Sequence, residues 1–164
     1  MLQTLVNQVE VINIMYYPKR QNRITLLNGL QVDFPNVFIP WDTNEKSFEE
    51  KLCCHGFSLV VEKYYSAVNT VIFGEEHCII GVKFEETISE FGISRDYYGG
   101  YDDYIRSYSA YHKAIERLFG KPDQRQKVLG EFEDCIWTID RKIKIHHYVM
   151  ERFCLEEHLR ISRV

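Results

Sequence analysis

The sequence predicts an α+β fold: a predominantly antiparallel β-sheet packed against one long and one short α-helix, in a single domain spanning residues 1–164. Three observations lead there. Aromatic side chains make up 14% of the chain, with 11 Tyr and 10 Phe, a usage that favours sheet. Residues 104–119 carry the apolar recurrence of one buried helical stripe. Near the C-terminus two alternating runs face each other across a short polar loop, the pattern of an antiparallel pair.

Taken in order, residues 9–17 are rich in Val, Ile and Tyr and stop at Pro18, so they read as a strand. Residues 24–27 and 30–34 flank Asn28-Gly29, the strongest short signal for a two-residue hairpin, and Pro35 ends the second arm. Ser47-Phe48-Glu49-Glu50 fits a capping box, with Ser47 at the N-cap of a short helix carrying Phe48, Lys51 and Leu52. His55-Gly56 supplies its stop. Residues 57–65, 70–73 and 78–84 read as successive strands between polar turns, and residues 88–93 as another.

The long helix follows. Ile105, Tyr108, Tyr111, His112, Ile115, Leu118 and Phe119 share one face, Asp102 and Asp103 complement the dipole at its start, and Gly120 with Pro122 ends it. Beyond it, Cys135, Trp137 and Ile139 alternate on one side of a strand, as do Ile143, Ile145, His147 and Val149 on the next. A three-residue loop, Asp140-Arg141-Lys142, pairs Ile139 with Ile143, Trp137 with Ile145 and Cys135 with His147, which keeps the apolar sets together. A two-residue loop would mix the faces. Residues 159–161 are expected to form a last short strand.

Length and composition bound the function. A chain of 164 residues has core enough to fold without a metal or disulfide, since domains of this size bury about 70% of their unfolded surface. The formal charge of −4 argues against generic nucleic-acid binding and is compatible with a basic partner. Five cysteines, an odd number without a secretory framework, read as reduced thiols. Residues 1–15 lack the pattern of a signal peptide, and no run reaches the length of a membrane span, so a soluble cytoplasmic protein is expected.

No phosphate loop, dinucleotide fingerprint or nucleophile elbow occurs. The Cys135–His147 pair is the most enzyme-like feature, because an imidazole beside a thiol can generate a thiolate. Its bulky apolar neighbours point instead to a buried thiol beside a core histidine. Cys53-Cys54-His55 lacks zinc-ligand spacing, and His146 and His147 must face opposite ways on a strand, so neither metal nor cofactor is expected; the two thiols should pack at a helix end. Six carboxylate doublets read mostly as solvated surface, one or two of them forming an acidic patch. The stretch Tyr97-Tyr98-Gly99-Gly100-Tyr101-Asp102-Asp103-Tyr104 has the composition of a recognition loop. Tyr97, Tyr98, Tyr101, Asp102, Asp103 and Tyr104 are therefore the expected partner-binding residues, and a protein the expected partner.

The C-terminal third adds a resemblance. Leu118-Phe119-Gly120-Lys121-Pro122, then Trp137-Thr138-Ile139-Asp140, His146-His147-Tyr148-Val149 and Arg152-Phe153-Cys154-Leu155-Glu156-Glu157 follow in an order that resembles small bacterial immunity proteins, which neutralise polymorphic or contact-dependent toxins. The resemblance covers about residues 104–161 and transfers no residue role. It implies a non-catalytic inhibitor that occupies a toxin's active site or an adjacent surface, often with an acidic face against a basic nuclease. A small cysteine-dependent enzyme built on Cys135 and His147 is the alternative, and a ligand-binding or scaffold domain a third reading.

Overall fold

The computed structural model describes residues 21–95 and 99–164. Its elements, in chain order, are α1 (Arg23–Asn28), β1 (Gly29–Val32), β2 (Val37–Pro40), α2 (Glu45–Leu52), a single 3₁₀ turn (Cys53–His55), β3 (Ser58–Val61), β4 (Tyr64–Ile72), β5 (Glu75–Phe84), β6 (Ile88–Arg95), α3 (Tyr101–Phe119), β7 (Gln124–Leu129), β8 (Phe132–Ile139), β9 (Ile143–Glu151) and β10 (Leu155–Arg163). The fold is α+β, as its sequence predicts. The strand expected over residues 9–17 lies outside the described residues.

Eight strands form one antiparallel sheet in the order β3-β4-β5-β6-β10-β9-β8-β7, and β1 and β2 form a separate pair. The large sheet is two four-stranded meanders, β3–β6 and β7–β10, joined where β10 pairs with β6. Its inner face is apolar. α3 covers the β5, β8 and β10 side with Tyr111, Ala114, Ile115 and Phe119, while α1, α2 and the small sheet cover the rest with Leu26, Trp41 and Phe48. Phe48 holds Phe57, Tyr65 and Phe84 in tilted or edge-on contact at 5.1–5.2 Å between ring centroids. Trp41 sits 4.6 Å from Phe91. Such pairs add to area burial because ring edges meet ring faces.

The register of the last hairpin is the one read from alternation: Cys135↔His147, Trp137↔Ile145 and Ile139↔Ile143. Asp140 and Arg141 take the left-handed conformation at its three-residue loop. The strand over residues 88–93 and the stop at Gly56, with φ 87°, also stand where expected.

Several boundaries differ from expectation. Asn28-Gly29 is not a hairpin turn. Asn22 caps a helical turn by accepting the Thr25 amide at 2.9 Å, Asn28 ends that helix, and Gly29 is extended. Residues 24–27 offer no period-2 alternation, and only Leu26 is buried, so the cap decides. Gly29 is instead required by proximity: a Cβ there would stand 2.3 Å from the Ile39 carbonyl oxygen. α2 likewise begins earlier than expected. Its N-cap is Asn44, whose Oδ1 accepts the Ser47 amide at 2.9 Å, so Ser47 is inside the helix.

Residues 57–65 are not one strand. A Glu62-Lys63 turn, with Lys63 at φ 61°, folds β3 back on β4, and residues 70–73 belong mostly to the end of β4. α3 begins at Tyr101 rather than Tyr104. β10 runs from Leu155 to Arg163, well beyond residues 159–161. Finally, β7 was not expected at all, because its residues are almost all exposed and so carry no alternation.

Candidate functional site

Three turns meet at one end of the sheet: the start of α3, the β7–β8 turn and the β9–β10 turn. Gly100 opens α3 without a side-chain cap, so Asp103 turns back and accepts the Gly99 amide at 2.7 Å while pairing with Arg106. Both carboxylates of the first turn sit where the helix dipole favours them. Tyr101 packs edge-on against Phe132 at 5.7 Å between centroids and lies close to Gly130, which has φ 54° and no Cβ to obstruct the phenol. Tyr104 joins Ile105, Tyr108, Leu129, Phe132, Val149 and Leu155 in a small second core. Burial first, then Cys154, Glu156 and Glu157, pushes the Tyr104 phenol up, which places the β9–β10 turn beside the helix start.

The expected partner-binding residues therefore separate by role. Tyr101 is 48% exposed and Asp102 is exposed, so both are presented to solvent. Asp103 serves the helix start, and Tyr104 fills the second core. Tyr97 and Tyr98 lie outside the described residues. Sequence reasoning missed Phe153, which is 104% exposed at the tip of the β9–β10 turn, where an Arg152 amide bonds the Cys154 carbonyl at 3.3 Å. A lone phenylalanine at a turn gives no distinctive signal in the sequence. Glu131 is exposed on the neighbouring turn, and the cations at this end are Arg152 on the β9–β10 turn and Arg106, which pairs with Asp103.

Behind this end lies a buried polar chain. Arg95 Nε donates to Ser107 Oγ at 2.9 Å, Ser107 Oγ donates to Glu157 Oε2 at 2.5 Å, and Glu157 Oε1 bonds His147 Nε2 at 2.9 Å. Arg95 also pairs with Glu75 at 3.1 Å and stacks over the Tyr111 ring at 4.2 Å. His147 and Glu157 are essentially sealed from solvent, so their mutual pairing is what makes either tolerable there.

Cys135 is fully buried opposite His147, yet the imidazole turns its Nε2 to Glu157, and its Nδ1 has no hydrogen-bond partner. The thiol's neighbours are Tyr108 Oη at 3.8 Å and Glu133 Oε2 at 4.0 Å. Burial pushes the thiol up despite the opposing Tyr108 and Arg125 contacts. A protonated, sealed thiol is a poor nucleophile. His146 faces outward and bonds Asp134 at 2.7 Å, as strand alternation requires. Cys53 and Cys54 are exposed on the 3₁₀ turn rather than packed, contrary to the expectation, because that turn buries none of its residues.

No helix among the described residues is long and apolar enough to cross a membrane. No protein-family model matches the chain, and no curated protein sequence matches it. Among solved structures, a DUF4309 family protein from Bacillus subtilis is similar over 87% of this chain and 93% of its own, at 12% identity and a TM-score of 0.43. Neither sequence nor superposition at that level transfers a property to this chain.

Proposed function

We propose that this chain is a non-catalytic protein-binding module that neutralises a cognate toxin by direct contact, using the end of the sheet where α3 begins. The observation that carries the reading is the pairing of two exposed aromatic side chains, Tyr101 and Phe153, with the exposed carboxylates Asp102 and Glu131, on turns held by a rigid core. Aromatic anchors supply contact area at small entropic cost, and burying them drives association. The carboxylates, on a chain of net charge −4, would steer a basic partner and set the salt dependence of association. The toxin-directed role rests on the resemblance of residues 104–161 to immunity proteins.

The test pairs this chain with the product of the neighbouring reading frame, which the proposal expects to carry a basic toxin domain. Wild type should form a stable heterodimer with it, and a Tyr101→Ala/Asp102→Ala/Phe153→Ala variant should bind about a hundredfold more weakly or worse. Equal affinity in wild type and variant would remove the surface. Absence of any complex would remove the role.

A further inference from the structure

A different cluster stands under the middle of α3. A ring nitrogen of His112, a carboxylate oxygen of Glu133 and Sγ of Cys135 lie within 4.8 Å of one another, brought together by α3 and β8. We infer that these three side chains form a binding site for a thiophilic divalent cation of the zinc class, with Arg125 standing in for the ion when none is bound.

The donor set is the first support. Thiolate, imidazole and carboxylate are the ligands such ions select, and three protein ligands leave a fourth position for water. Zinc–sulfur and zinc–nitrogen bonds of about 2.3 and 2.0 Å place donors about 3.5 Å apart, so contraction by roughly 1 Å closes the shell. Cys135 Sγ and Glu133 Oε2 are already 4.0 Å apart.

Arg125 is the second support. From edge strand β7 its Nε reaches Glu133 Oε2 at 3.2 Å, and its Nη2 reaches Glu116 Oε1 at 3.0 Å and His112 Nε2 at 3.2 Å. It also lies near the thiol, where its charge opposes the effect of burial. One guanidinium thus pairs with Glu133 and His112 beside Cys135, which is where a cation belongs. Its side chain is 46% exposed, so it can swing into solvent without unmaking the core. A groove of about 460 Å³, lined by Tyr108, His112, Glu116, Arg125 and Phe132 among others, reaches the His112 side of the cluster from solvent.

The third support is the surroundings. Glu116 Oε1 lies 3.3 Å from His112 Nε2, a carboxylate placed beside the ligating nitrogen to accept from a metal-bound water. The Nδ1 atoms of His112 and of nearby His147 are buried without hydrogen-bond partners, and the two rings are 6.3 Å apart. Binding replaces the Sγ–H bond by a metal–sulfur bond and releases that proton to water; no electron is transferred.

The experiment is titration of the tag-free, chelator-treated full chain with Co²⁺, in a background where the exposed thiols are removed (Cys53→Ser/Cys54→Ser/Cys154→Ser). One equivalent should bind with a thiolate-to-cobalt charge-transfer band, and Zn²⁺ should displace it. Cys135→Ser should abolish the band. Because a buried hydroxyl at that position can unsettle the fold, two further variants keep the outcome decisive. Glu133→Gln should retain the band at an affinity about tenfold lower, and Arg125→Ala should raise affinity about tenfold by removing the competing cation. No band in either the background protein or Arg125→Ala would overturn the site. So would a band that survives Cys135→Ser.

Discussion

At the scale of single residues, exposure and burial decide what each side chain can do. Phe153 contributes nothing to the interior, so Phe153→Ala should change stability by no more than about 0.5 kcal/mol in a denaturant titration. Its only large effect should fall on partner affinity. Buried phenols behave oppositely. Burial, more than any neighbour, pushes Tyr108 and Tyr111 up from an ordinary value near 10. The folded chain therefore keeps protons that the unfolded chain releases at high pH. Stability is complete below pH 10 and falls above it, by about 1.4 kcal/mol per pH unit for each such phenol. Tyr111→Phe should flatten the alkaline limb by one such increment, read from unfolding curves at several pH values. A limb of unchanged slope would mean that Tyr111 ionises in the native state.

At the scale of elements, helix starts and strand pairings were legible to different degrees, for physical reasons. The β8–β9 register could be read because both strands bury one face, so a one-residue slip would turn Trp137 and Ile145 into solvent. β7 could not be read, because an edge strand with exposed side chains writes no pattern. The start of α2 was misread because Asn44 and Ser47 both suit an N-cap, and only geometry shows which oxygen receives an amide. Asn44→Ala should accordingly cost about 1 kcal/mol, while Ser47→Ala should stay within about 0.5 kcal/mol. The opposite ranking in thermal denaturation would restore Ser47 as the cap. Composition singled out the stretch holding Tyr101 and Asp102, and the structure shows that both are exposed; α3 begins three residues before its expected start because Gly100 and two carboxylates open it ahead of the buried stripe. Phe153 was hidden because a single apolar residue at a turn is common in any sequence.

At the scale of the molecule, stability depends on how two meanders are joined. β6 and β10 meet at the centre of the sheet through a pairing of residues about 70 positions apart, which no local pattern reveals. The buried chain Arg95–Ser107–Glu157–His147 crosses that seam, linking β6, α3, β10 and β9. Removing the imidazole would take away its bond to the buried Glu157 Oε1 and leave a cavity beneath α3. His147→Ala should therefore cost about 3–5 kcal/mol and lower the urea midpoint without changing the slope, since the meanders unfold together. A loss below about 1 kcal/mol would show that water or another group replaces the imidazole.

The same junction carries the turns that present Tyr101, Asp102 and Phe153. Recognition at this end is the central claim. Amide hydrogen exchange of the chain, alone and with the basic toxin domain, tests it most directly. The account predicts slowed exchange in residues 99–106, 130–132 and 151–155, with β3 and β4 unaffected. Slowing confined to β3 and β4, with these turns exchanging as in the free chain, would contradict it.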